Sequence, residues 1–287
     1  MMKKTINIYI IIPFMVIPQL ILSGVFVKFD KMNPDISSAT GVPVYGHFIT
    51  ARWAFEALIV NQFKYNEYEQ TFYIYDKAKS KFSFMKDYWV PTMKTYLGRV
   101  SKNTADPNYD AEKQQKILDL VYGEIERYAP EYEKLTPPSK DFFKTGLFGT
   151  AAYNVVEKYL EEIRLANVSK YNKVDMALDH HKKEFLVEYL DSLKRTYHNK
   201  SVEEFVTSPT GMMSEVICEY DGKLWHKTDQ VFQDTDKAFS APLFVPYKRF
   251  MDQNVDTLLF NVIVIWMINM VLFLILLDGH LGAWMRK

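Results

Sequence analysis

The sequence predicts a mainly α membrane protein with two transmembrane helices, a re-entrant or interfacial helix, and a helical extramembrane insert carrying a small β-hairpin. Three observations lead there. Long uncharged runs lie near both ends, apolar stripes at helical spacing fill much of the interior, and an Asp-Gly pair separates two short runs of strand formers.

The cleaner span is Thr257 to Leu277 (257–277), TLLFNVIVIWMINMVLFLILL, between Asp256 and Asp278 and followed by Trp284, Arg286 and Lys287. At ~1.5 Å rise per residue such a run crosses a hydrocarbon core of about 30 Å, and the tryptophan and basic residues beyond it suit a headgroup boundary. The first run, Ile6 to Val27 within a predicted span of 5–27, is interrupted by Asn7, Pro13, Pro18, Gln19 and Ser23-Gly24. Its two prolines free carbonyls that lipid cannot satisfy, which favours a helix packed against protein or lining a cavity. A cleaved signal peptide is the competing reading. The run is longer than the usual ~7–15 apolar residues of such a leader and lacks an A-x-A-type cleavage site, so a retained span is expected.

Lys3 and Lys4 precede the first span, and Arg286 and Lys287 follow the second. The positive-inside rule then puts both termini, with the tail 278–287, in the cytoplasm and the long intervening segment outside. Overall charge has no bearing on this, since 35 Lys and Arg balance 35 Asp and Glu and give no reason to expect a nucleic-acid partner. A single cysteine, Cys218, excludes an intrachain disulfide and any cysteine-based metal cluster.

The outer segment divides in two. Residues 28–72 form a loop punctuated by Pro34, Gly41 and Pro43, then the helical pattern FITARWAFEALIVNQFKYNEYE, where Arg52 and Glu56 are spaced to pair on one face while Ile49, Trp53, Leu58 and Phe63 contribute an apolar one. Residues 73–250 form the insert. It opens with Tyr73 to Leu97, aromatic and basic, read as an aromatic belt at the headgroups plus ordinary packing. Asn103 to Tyr109 reads as a linker, and Ala111 to Asn199 as a small helical bundle: a stripe of Ile117, Val121, Ile125 and Tyr128 runs within Ala111 to Leu135, interrupted by Pro130, a second segment covers Lys140 to Ala166, and another helix runs from about Lys173 to Tyr197. Asp221-Gly222, between VICEY and KLWHK, marks the hairpin, with Cys218 as a small buried strand residue. Phe239 to Phe250, with Pro242 and Pro246, reads as an extended lead-in to the second span.

Signatures of bond chemistry are lacking. His180-His181 with Asp175, Asp179 and Glu184 is the one dense group of metal-ligand types, but it has no H-E-x-x-H pattern and no third ligand from another element, and reads as a solvated helical face. Neither a phosphate-binding loop nor a G-x-S-x-G elbow occurs, so the chain is expected not to be an enzyme and to carry no cofactor or metal.

Two motifs together carry a resemblance. Ile17 to Pro34 (IPQLILSGVFVKFDKMNP), followed by Ala51 to Phe63 (ARWAFEALIVNQF), resembles the last part of the membrane domain of G-type (White-like) ABC exporters. In that family a fifth membrane helix ends in a Ser-Gly segment, a re-entrant helical turn with a motif like P-R-Y-x-F-x-A-L-x-x-N-E-F follows, and a sixth helix returns to the cytoplasm. Arg52, Phe55, Ala57, Leu58, Asn61 and Phe63 fall on matching positions, with Trp53 in the aromatic place and Gln62 in the acidic one; Glu56 is the second member of the Arg52 pair. The resemblance implies an ABC-2-type permease or its C-terminal fragment in a bacterial inner membrane, working as a dimer with an ATP-binding domain or chain. It makes Ile10 and Ile11 valve candidates and Pro13, Pro18 and Gln19 candidates for helix distortion and polar lining. A membrane-anchored periplasmic interaction or scaffold protein is the alternative.

Overall fold

The computed structural model describes residues 5–24, 29, 32–33, 40–103, 110–208 and 216–284. The fold is mainly helical, with two small antiparallel hairpins. The helices are α1 (Thr5–Ile21), α2 (Thr50–Lys64), α3 (Glu69–Ser83), α4 (Val90–Asn103), α5 (Ala111–Tyr128), α6 (Thr150–Lys183), α7 (Val187–Tyr197), α8 (Lys200–Thr207) and α9 (Thr257–Trp284). The strands are β1 (Ile217–Tyr220), β2 (Lys223–His226), β3 (Tyr247–Phe250) and β4 (Gln253–Asp256). They group into two compact units, one of Met1–Gln70, Tyr197–Ser208 and Gln233–Lys287, the other of Thr71–Thr196 and Pro209–Phe232.

In the first unit α1, α2 and α9 bring together segments far apart in the chain. Among the described residues one helix is long and apolar enough to cross a membrane, Thr257–Asp278 of α9; the apolar part of α1, Tyr9–Ile21, is shorter. The two spans expected from sequence are therefore matched by one such helix. α1 contains Pro13 and Pro18 and ends at Ile21 rather than running on to Val27, and 25–28 lie outside the described residues. Gly24 explains the stop. It takes φ +78°, and a Cβ there would sit 2.7 Å from the Phe29 ring, so only glycine permits the turn.

The second unit has its own core. α3 and α4 are joined without a break by a π-helical stretch, Phe84–Trp89, and Phe84, Met85, Trp89, Val90, Met93 and Leu97 are buried with Leu118, Val121 and Ile125 of α5 and Val156, Leu160 and Ile163 of α6. This corrects the belt reading of Tyr73 to Leu97: the aromatic and apolar residues from Phe84 to Leu97 that recur at helical spacing form a protein core. A second correction concerns α6, which runs unbroken from Thr150 to Lys183 where two separate helices were expected. Ser139 caps a short 3-10 turn, Lys140–Phe143, and α6 starts only after Gly149. Glu124, itself buried, ties the β1–β2 hairpin to the helices, accepting from Trp89 Nε1 at 2.8 Å and from the Leu224 amide at 3.2 Å.

That hairpin turns at Asp221-Gly222, both at positive φ, with Cys218 opposite Trp225 and half-buried. The stretch expected as an extended lead-in to the second span is non-helical and ends in an extended strand, β3, which also pairs with β4 in a second hairpin, Tyr247 opposite Asp256 and Phe250 opposite Gln253. Its turn residues, Met251 and Asp252, take φ +48° and +59° without a glycine, so the usual turn signal is missing from the sequence.

Candidate functional site

The first unit is organised around a carboxylate. The i, i+4 spacing of Arg52 and Glu56 on α2 places Arg52 Nη1 2.9 Å from Glu56 Oε2, with both side chains completely buried. Two residues from the far end of the chain close on the same oxygen. Lys248 Nζ of β3 donates to Oε2 at 2.9 Å, and Asn261 Nδ2 of α9 donates to it at 2.9 Å. Oε1 accepts from the Phe244 amide at 3.3 Å, so a single side chain joins α2, the segment before β3, β3 itself and α9.

The sequence reading put the ion pair and the apolar residues on opposite faces, and the structure corrects this. Arg52, Trp53 and Glu56 all face inward, while Leu58, counted with the apolar stripe, is 67% exposed. The reason is that the partners of the pair, Lys248 and Asn261, are themselves inside, so burial of the charges is compensated by neighbours that α2 alone does not reveal. Trp53 contributes to the same compensation. Its ring lies 3.4 Å from the Arg52 guanidinium carbon and 4.8 Å from Lys248 Nζ, so two cations face one indole. Trp53 Nε1 donates to the His47 carbonyl at 2.9 Å, and Arg52 Nε donates to the Gly46 carbonyl at 3.1 Å, which fixes the 3-10 turn Val44–Phe48 ahead of α2.

Charge in this cluster is uneven, with two cations against one carboxylate. Burial alone would raise the Glu56 pKa, but the charges of Lys248 and Arg52 and the hydrogen bonds from Lys248 and Asn261 outweigh it and hold the carboxyl below its usual range. Burial pushes Lys248 down to about 8 despite the Glu56 carboxylate. Burial, then the charges of Arg52 and Lys248, push His47 down to about 4, so its imidazole is neutral at ordinary pH.

The other end of α2 has its own anchor. Lys64 Nζ lies 3.0 Å from Asp256 Oδ2, 2.8 Å from the Tyr65 hydroxyl and 3.8 Å from the centroid of the Tyr247 ring, and Tyr65 also bonds Asp256. Asp256 in turn caps α9, its Oδ1 accepting from the Leu258 amide at 2.9 Å. α2 is thus held against the first turns of α9, its C-terminal end at Asp256 and its N-terminal end at Phe260, Asn261 and Val264. Phe55 meets Phe205 of α8 and Phe244 edge-on.

The remaining sequence candidates fall in two places. Phe63 is buried in α2 and Asn61 half-buried there, close to the cluster. Ile10, Ile11, Pro13 and Pro18 are exposed along α1 and Gln19 is half-buried, and none of them joins the Arg52–Glu56 cluster. Lys248 and Asn261 were not singled out from sequence. The signal for Asn261 was present, as an amide in an otherwise apolar span; Lys248 had none beyond its place before that span. In the second unit Asp175 pairs with Lys79, whereas both histidines reach Glu184, His180 Nδ1 3.5 Å from its Oε1 and His181 Nδ1 2.8 Å from its Oε2, and the His181 ring packs against Phe72 and Phe185.

Comparison of the chain with known protein families, with characterised proteins and with solved structures finds no match.

Proposed function

We propose that this chain is a membrane-spanning subunit or C-terminal part of an ATP-driven exporter of the ABC-2 type, with ATP hydrolysed on another chain or domain. In this reading α9 crosses the bilayer and α2 is a re-entrant element at its outer face. The observation that carries the reading is the packing of α2 against the start of α9. Asn261 lies four residues into α9, or about 6 Å along its axis, and Val264 about 10 Å along it. The N-terminal end of α2 therefore dips to that depth, and a buried Arg-Glu-Lys-Asn cluster is what irregular backbone at the edge of a hydrocarbon layer needs. The resemblance of Ile17–Pro34 and Ala51–Phe63 to G-type exporters agrees with this arrangement, and α1, with its two prolines, is then the pore-side helix.

The second reading, a membrane-anchored scaffold, is favoured by one observation, the separate core of the second unit. The two readings part in a single experiment. The exporter reading expects the chain to co-purify from membranes with an ATP-binding protein and expects Arg52→Ala to abolish ATP-dependent efflux while the chain still inserts. A stable, monodisperse chain with no ATP-binding partner overturns it and leaves the scaffold.

A further inference from the structure

The second unit contains a cleft of about 180 Å³ lined by Ser80 and Ser83 of α3, Phe84 and Tyr88 of the π-helical stretch, and Val216, His226, Thr228 and Asp229. The exporter reading does not use it. Three features of its walls are unusual in themselves. Phe84–Trp89 is a six-residue π-helix inside an otherwise continuous helical run, a wide turn that recurs at functional sites more than elsewhere. Asp229 holds φ +57°, in the left-handed region that aspartate enters more readily than most other non-glycine residues. The His226 ring stacks on Phe84, 4.1 Å between centroids and 16° between planes.

The chemistry of the lining is one-sided. Among the described residues of the lining, Asp229 is the charged one and none is a lysine or arginine. Burial raises the Asp229 pKa above the ordinary carboxylate value, and Ser80 Oγ, donating to Oδ2 at 2.7 Å, only partly counters this. Burial pushes His226 down to about 3, so the imidazole contributes no positive charge. The Ser83 hydroxyl donates to Asp87 at 2.9 Å. What the cleft presents is therefore a half-buried carboxylate short of a counter-ion, flanked by aromatic rings. A phosphate or carboxylate would meet repulsion there, whereas an N⁺–H donor would gain a charge-assisted hydrogen bond and ring contact. The volume is below the ~300–1,000 Å³ of drug-sized sites and suits a small headgroup.

We propose that this cleft binds a small organic ammonium group, with Asp229 as its counter-ion and Phe84 and Tyr88 as its aromatic walls. The site belongs to the second unit and does not depend on the transport reading.

The test uses the full chain in detergent micelles with ethylammonium chloride as the probe and ethanol, sodium acetate and sodium chloride as controls. Ethylammonium is expected to give saturable heat in calorimetry and a concentration-dependent rise in unfolding temperature, as any ligand that binds only the folded state must. Asp229→Asn is expected to weaken binding at least about tenfold, and since asparagine enters the left-handed region readily the variant keeps the backbone. The proposal is overturned if ethylammonium gives no saturable signal, if ethanol or acetate binds as well, or if Asp229→Asn binds as tightly as the parent chain.

Discussion

Lys248 Nζ lies 2.9 Å from Glu56 Oε2 across 192 residues of sequence, and both side chains are completely buried. Because Arg52 shares the same carboxylate, Glu56 is, among the described residues, the one anion in contact with these two buried cations. Glu56→Gln keeps the shape and removes the charge, leaving Arg52 and Lys248 to repel each other without compensation. Removing one partner from a buried ionic cluster typically costs about 3–5 kcal/mol, and that loss is expected here in tryptophan-monitored unfolding of the detergent-solubilised chain. Lys248→Met instead leaves a neutral Arg52–Glu56 pair and is expected to cost much less. Equal losses from the two substitutions would show that the excess charge is not what the cluster has to balance.

The same imbalance sets a pH dependence. Lys248 has a folded pKa of about 8 against an ordinary value of 10.5, so between these values the unfolded chain binds the extra proton. Stability contributed by this site is then lowest below about pH 8 and rises toward pH 10.5, with a slope of at most about 1.4 kcal/mol per pH unit. Tyr128 and Tyr132, whose pKa values burial raises to about 12, act oppositely above pH 10, because there the unfolded chain ionises first. The clean measurement is the difference between the parent chain and Lys248→Met from pH 7.5 to 9.5, where the parent is expected to gain stability with pH and the variant to stay flat.

How far this cluster was legible in the sequence follows from chain distance. Arg52 and Glu56 lie one helical turn apart, so their pairing can be read from spacing, and the helix around them from its periodicity. Lys248 and Asn261 meet them only through tertiary packing, and no local rule connects β3 or α9 to α2. The direction in which the pair faces was misread for the same reason. A charged pair on an isolated helix belongs on the solvent side, and only its distant partners reverse that. The aromatic run Phe84 to Leu97 shows the complementary error, since its residues fit a headgroup belt or a core equally well and the deciding neighbours lie on α5 and α6.

The two hairpins give a local version of the same lesson and a stability prediction. β1 and β2 turn on Asp221-Gly222, which suits two left-handed positions, whereas β3 and β4 turn on Met251-Asp252. A left-handed non-glycine residue costs roughly 1–2 kcal/mol, less for aspartate than for methionine. Met251→Asn with Asp252→Gly is therefore expected to raise stability by about 1 kcal/mol, the lost exposed Arg249–Asp252 contact being worth little. An unchanged or lower unfolding temperature in the double variant would mean that neighbouring residues stabilise this turn as it stands.

Membrane insertion is tested most directly at the middle of α9. Met267 is half-exposed on this helix, which has few protein contacts beyond its first turns, so a charge placed there must meet lipid if the helix spans the bilayer. Met267→Arg is expected to cost about 2.5–3.5 kcal/mol of insertion free energy and to reduce the inserted fraction in a translocation assay. Topology supplies the second arm. With Cys218 replaced by serine, a cysteine at Met251, 83% exposed in the turn just before α9, is expected to react with a membrane-impermeant maleimide from outside intact cells. In the proposed orientation, where the basic residues beyond the span favour the cytoplasmic side, alkaline phosphatase fused after Lys287 is expected to be inactive. Labelling of Met251→Cys only after lysis, together with an active fusion, would reverse the orientation and place α2 and its charge cluster at the inner face.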